Sequence, residues 1–216
     1  MPEFTAEQYK KEEFANAVTH GIGILLSILS TPFLIQFAKE NKANSDQIFG
    51  LSIFCFSMLV LYSLSTLYHS VHTLKWKPLC QKLDHIAIFF LIAGSHTPFI
   101  LSYLNNTKGW VYLAVLWGLG ILGSLGKIFY FEKWEKPSLF LYIFMGWMVV
   151  FILPDLIPVM PREVFIWIGI GGIFYTVGVY FFVNDYRPYF HAVWHIFVLA
   201  GTAAHYVALR KVFENI

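Results

Sequence analysis

Long apolar runs separated by short polar breaks occupy almost the whole of this 216-residue chain. A helix needs about 20 mainly apolar residues to cross the hydrocarbon core of a bilayer. The fifth run is the shortest, because the segment PDLIPVMP that follows it holds three prolines and is poor helix. The runs predict an all-α integral membrane bundle of seven transmembrane helices in one domain, 1–216, with spans at about 15–38, 48–71, 84–104, 110–129, 138–153, 164–183 and 191–209.

Composition supports this prediction and narrows the classes of partner. Hydrophobic residues make up 57% of the chain and charged residues only 13%, about half the charged fraction of a soluble domain. The net charge of +2 and the lack of a long basic run argue against a nucleic-acid partner. We therefore expect the partners to be membrane lipids, and the oligomeric state stays open.

The loops carry an asymmetric charge that predicts the orientation. Nine of the 15 Lys and Arg residues fall in the N-terminal tail and in the loops on its side of the membrane. Cytoplasmic loops are enriched in Lys and Arg. The sequence thus predicts a cytoplasmic N-terminus and an external C-terminus.

Ionisable residues within the spans cluster at one depth. Seven spans alternate in direction, so the end of span 2 and the starts of spans 3 and 7 share the face of the N-terminus. Such residues are costly in a membrane and indicate function. The residues that fall on this face are His69, Asp84, His85, His191 and His195.

The spacing of HAVWH predicts a metal site. His191 and His195 are four residues apart and so lie on one side of a helix, about one turn of 5.4 Å apart in depth. With His69 they supply three imidazoles and leave the fourth position of a tetrahedral zinc open, as in catalytic sites. The alternatives are interfacial histidines that bond to neighbours, or His72 as the ligand in place of His69.

A carboxylate and a hydroxyl at matching depth are candidates for catalysis. Asp84 could accept the proton of an attacking water, or it could simply cap the third span. Ser65 precedes His69 by four residues and shares its face, although serines in membrane helices often bond back to the preceding turn. His85 points about 100° away from Asp84 and is the weaker candidate.

A polar stripe in the first span lies near the same face. Glu13, Asn16 and His20 are spaced to lie on one side of a helix, where they could orient the metal ligands or merely cap the bundle. His96 and His205 lie about 18 and 21 Å further along their helices than Asp84 and His191, too far for the same metal. We expect these two histidines to lie in the other half of the bundle, with no catalytic role.

Four segments, in order along the chain, carry a resemblance to a known membrane protein family: EFANAVTHG, STLYHS, LDHIAIFFLIAGSHTPF and HAVWHIFVLAGTAAHY. They resemble the bacterial hemolysin III proteins, the prokaryotic branch of the progestin and adipoQ (adiponectin) receptors. The resemblance implies a zinc ion held by His69, His191 and His195, with Ser65 and Asp84 at the same site. His96 departs from the family pattern, in which a tyrosine is expected.

The resemblance also implies a range of functions. Ceramidase-like relatives suggest a zinc-dependent hydrolase that acts on ceramide-like or other fatty-acyl amides, and bacterial members are linked to membrane lipid homeostasis. The alternatives are a non-catalytic membrane sensor or receptor with structural zinc, or a cytolytic hemolysin. The expected location is the bacterial inner (plasma) membrane, and whether the protein is an enzyme stays open.

Overall fold

Seven helices long and apolar enough to span a membrane form the protein, which confirms the predicted bundle. The computed structural model describes residues 5–214, and these contain no strand. The fifth span is composite and the others are single helices. The helices are α1 (Ala6–Glu40), α2 (Ser45–Ser70), α3 (Lys77–Tyr103), α4 (Thr107–Tyr130), α5 (Glu135–Trp147), α6 (Leu153–Leu156), α7 (Arg162–Val183) and α8 (Phe190–Glu214).

Two helices on the N-terminal face start well before their apolar spans. The Thr5 side chain caps α1 by accepting a hydrogen bond of 3.1 Å from the backbone N–H of Gln8. Helix α3 starts at Lys77, so Asp84 lies inside the helix. Hydropathy marks only the apolar part of such a helix, while its polar first turns continue beyond it.

The composite span shows how a proline is accommodated. A 3-10 segment, Met148–Ile152, separates α5 from α6. Pro154 lies in the first turn of α6, where its missing N–H would have no helical partner anyway. The span therefore reaches Leu156, a little beyond the end predicted at about 153.

Most of the helix packing is between neighbours along the chain, and α1 also packs against α8. Helix α1 packs between α2 and α8, α3 packs against α2 and α4, and α7 packs against α8. Phe54 and Phe89 are fully buried between helices, whereas Phe33 and Phe140 are about 70% exposed on the outside. Large apolar side chains on the outer surface suit a protein whose surroundings are lipid.

A cavity of about 290 Å³ runs lengthwise inside the bundle. Most of its lining comes from α3, α5, α7 and α8 and is apolar, and α1 and α2 contribute His20, Leu61 and Ser65. Asp84 and His191 lie at one end, whereas His96 and His205 lie further along the same two helices. At 1.5 Å per residue, the separation along the helices is about 18 to 21 Å.

Candidate metal centre

Three histidines from two helices converge at the N-terminal face. His69 comes from the last turn of α2, and His191 and His195 come from the first turns of α8. One ring nitrogen from each residue lies within 4.8 Å of those of the other two. His69 and His195 are almost fully buried, and His191 is partly exposed.

Hydrogen bonds fix which ring nitrogen of His195 faces the cluster. Its Nδ1 lies 3.2 Å from the backbone oxygen of Asn16 and 3.0 Å from Oγ1 of Thr19. A carbonyl can only accept, and the Thr19 hydroxyl already donates to the same carbonyl of Asn16 at 2.8 Å. Nδ1 must therefore carry the proton, and Nε2 keeps a free lone pair.

The other two imidazoles are oriented in the same way by carboxylates. Nδ1 of His69 lies 3.2 Å from Oε1 of Glu13, which can only accept when ionised. Nδ1 of His191 lies 3.5 Å from Oδ2 of Asp185. In each ring the Nε2 atom is left to face the centre, the arrangement typical of metal-bound histidines.

Lys77 completes the support of His69. Its ammonium pairs with Oε2 of Glu13 and donates a hydrogen bond of 2.7 Å to the backbone oxygen of Tyr68. The carboxylate of Glu13 thus lies between a cation and an imidazole. A buried carboxylate needs such pairing, because an isolated buried charge is very costly.

Helix α1 also holds α8 in place. The imidazole of His20 stacks on that of His195, with ring centroids 3.6 Å apart. The Glu12 carboxylate accepts hydrogen bonds of 2.8 and 2.9 Å from the backbone N–H of Tyr189, just before α8 begins. The predicted stripe Glu13, Asn16 and His20 is therefore in contact with two of the three histidines.

The side chains present are suited to a metal ion. The Nε2 atoms of His69 and His191 are buried and make no hydrogen bond with the described protein. A buried polar atom without a partner costs about 1–3 kcal/mol. Three convergent imidazole nitrogens would gain a partner in a metal, and imidazole suits zinc, copper, iron and nickel.

Asp84 and Ser65 lie beside this centre. Both are buried and both line the cavity, together with His191 and His195. The interpretation of Asp84 as a helix cap is wrong, because the N-cap of α3 is Trp76. Oγ of Ser65 does not bond back to the preceding turn, the alternative for this residue, and it lies near the Asp84 carboxylate.

The remaining histidines lie outside the three-histidine cluster. His72 follows the end of α2 and is exposed, so it does not replace His69. His85 lines the cavity, with Phe131 and Phe182 beside its ring. His96 and His205 lie towards the other end of the cavity, in the half of the bundle predicted from their positions in the sequence.

Sequence reasoning missed four residues that hold the site together. Asp185 lies six residues before His191, and this closeness in a polar loop could have identified it. Lys77 lay outside the predicted third span. Thr19 and Glu12 contact residues 176 and 177 positions away in the chain, and no local spacing reveals such a contact.

The fold and the site together define a seven-helix membrane protein with a buried histidine cluster near one face. Residues 8–206 match the family model described as "Haemolysin-III related", and the chain belongs to this family.

Named relatives cover most of the chain. It is 43% identical to the "Hemolysin-3 homolog" of Bacillus subtilis (strain 168) over 194 residues, 90% of this chain and 91% of that protein. It is 42% identical to "Hemolysin-3" of Bacillus cereus over 196 residues, 91% and 89% of the two chains. A more distant relative, the "Monocyte to macrophage differentiation factor" of Homo sapiens, is 26% identical over 211 residues, 93% and 84% of the two chains.

Proposed function

We propose that the protein is a zinc-dependent hydrolase of membrane lipid amides, with ceramide-like or other fatty-acyl substrates. One observation carries the proposal: the three-histidine cluster, with Asp84 and Ser65 beside it, adjoins a long cavity whose walls are mostly apolar. Pockets of this type, apolar with a few convergent polar groups, are where small molecules bind. An amphiphile would place its polar group at the cluster and its chain along the cavity.

His69, His191 and His195 would hold the metal through Nε2. When bound, zinc would supply Lewis acidity at the centre. Glu13 and the backbone oxygen of Asn16 accept from Nδ1–H of His69 and His195, and Asp185 lies 3.5 Å from Nδ1 of His191, which leaves the Nε2 lone pairs for the metal.

The carboxylate of Asp84 is the proposed general base. It accepts the proton of the attacking water and delivers it to the amine nitrogen as the C–N bond breaks. The hydroxyl of Ser65, which lies near the Asp84 carboxylate, donates to the carbonyl oxygen as negative charge develops there. The products are a fatty acid and an amine, and the apolar walls keep bulk water from the acyl chain.

The charges of the loops support an orientation in the membrane. From the distribution of Lys and Arg we place the N-terminus, and with it the histidine cluster, on the cytoplasmic side of the inner membrane.

The name of the Bacillus relatives suggests a cytolytic role. A lytic channel would need a polar lining, whereas the cavity walls are largely apolar.

Fatty acid release from a ceramide panel tests the proposal. Purified protein supplied with zinc is compared with Asp84→Asn, and we expect the substitution to lower the rate by about 10²- to 10⁴-fold while zinc stays bound. Asp155→Asn is the matched control, because Asp155 pairs with Lys108 far from the cluster. Zinc-loaded wild type that releases no fatty acid would count against a hydrolase and favour a sensor with structural zinc.

A further inference from the structure

A second polar region lies at the end of the cavity away from the metal centre. We call it the distal pocket and define it by four side chains that line the cavity: His96, Phe99, Tyr175 and His205. His96 and His205 lie about 18 and 21 Å further along α3 and α8 than Asp84 and His191 do. His96 and His205 have no role in the proposed hydrolysis.

His205 is buried and makes no well-formed hydrogen bond. It is 6% exposed, and neither ring nitrogen has a hydrogen bond of normal geometry within the described residues, although the backbone of Ile168 on α7 lies near the ring. The rings of Phe99 and Tyr175 lie edge-on to it, with centroids 6.0 and 5.5 Å away. A polar ring held in this way can still take a hydrogen-bond partner.

Helix α7 makes room for this ring. A Cβ atom at Gly171 would lie 2.4 Å from Cδ2 and 2.5 Å from Nε2 of His205, so only glycine fits there. The edge of the ring that carries Nε2 thus lies against α7. Nδ1 is on the opposite side of the ring, away from α7.

His96 brings a second imidazole to the pocket from α3. Its Nδ1 lies 2.7 Å from the hydroxyl of Tyr112, which leaves Nε2 for another partner. Both His96 and His205 line the cavity at this end. A hydroxyl group can donate to one such ring and accept from the other, whatever the tautomers.

The lining also selects against charged ligands. No Lys, Arg or Glu is among the side chains that line the cavity in the described chain, and the one Asp is Asp84 at the other end. A carboxylate or phosphate would lose its hydration there without gaining a fixed cation, which is expensive. A neutral group avoids this cost.

We propose that the distal pocket is a binding site for the hydroxyl group of a neutral lipid alcohol, which hydrogen-bonds to His205 and His96 while its chain occupies the apolar part of the cavity. The site does not require the metal centre. It also gives a role to His96, where the family pattern has a tyrosine.

Native mass spectrometry of the detergent-purified protein tests this site with two probes, hexadecan-1-ol and its methyl ether, which cannot donate. We expect wild type to retain the alcohol about five- to tenfold more strongly, the worth of one hydrogen bond. His205→Phe keeps the ring packing but removes both nitrogens, and it should abolish the preference. His195→Ala should leave the preference intact, because it disrupts only the metal centre.

Three results would overturn the proposal. Equal retention of the two probes by wild type would mean that no hydroxyl is recognised. A preference that survives His205→Phe, or one that disappears in His195→Ala, would place the alcohol elsewhere. The metal content and thermal unfolding of His205→Phe are measured alongside. If His205→Phe fails to fold, His96→Phe is tested in its place.

Discussion

Buried histidines lie at both ends of one cavity, and the two ends differ in what holds the rings. At the metal centre, Nδ1 of every ring faces an oxygen atom, from Glu13, Asp185, or Asn16 with Thr19. In the distal pocket neither ring nitrogen of His205 makes a well-formed hydrogen bond within the described residues, and Nδ1 of His96 faces the hydroxyl of Tyr112. Carboxylates and carbonyls fix the rings of a metal site, whereas an imidazole without a strong partner is suited to a neutral group that both donates and accepts.

The largest expected difference between the two ends of the cavity is in metal binding. His195→Ala removes one of three nitrogen ligands, and we expect bound zinc to fall from about one per chain to near zero. Elemental mass spectrometry on purified protein measures this. His205→Phe is the matched control at the other end of the cavity and should keep its zinc. Zinc that remains in His195→Ala would show that the three histidines are not the site.

A smaller effect is expected from the support of His69. Glu13→Gln keeps the size of the side chain but removes the charge that lies between Lys77 and His69. Loss of such outer partners weakens metal affinity by about 10- to 100-fold. Competition with a zinc chelator measures the change. Glu7→Gln changes an exposed residue paired only with Lys11 and should have no effect on zinc.

Stability can probe the distal pocket separately. Gly171→Ala places a methyl group against the ring of His205, and we expect it to lower the free energy of unfolding by about 1–3 kcal/mol. Gly118→Ala adds the same methyl group where nothing lies within 4 Å, and it should be neutral or slightly stabilising. Thermal unfolding in detergent compares the two. Equal behaviour of the two variants would contradict the close packing of Gly171 against His205.

The smallest expected effect concerns Thr19. In Thr19→Val the backbone oxygen of Asn16 still accepts from Nδ1 of His195, so the tautomer is preserved. We expect zinc affinity to fall only about fivefold, the worth of one hydrogen bond. The chelator competition used for Glu13→Gln resolves this difference. A loss as large as that of Glu13→Gln would mean that the hydroxyl, rather than the carbonyl, sets the orientation of His195.

Much of the fold could be read from the chain, because the length and polarity of a membrane span are local properties. Seven apolar runs gave seven helices, and their alternating direction placed His69, Asp84 and His191 at one depth. The ends of the helices were harder to predict, because α1 and α3 begin in polar segments that hydropathy does not mark. The fifth span ran beyond its predicted end for a similar reason, because Pro154 is acceptable in the first turn of α6.

The sequence by itself determined the membrane class, the number of helices and the paired positions of His191 and His195, because each follows from spacing along one segment. Only the tertiary structure decided which side chains support the histidines. Thr19 reaches His195 through the packing of α1 against α8, and Lys77 reaches Glu13 because α1 and α3 both pack against α2. His69 rather than His72 joins the cluster because α2 ends at Ser70. The cavity likewise exists only between helices, since no single span encodes the space that several of them leave.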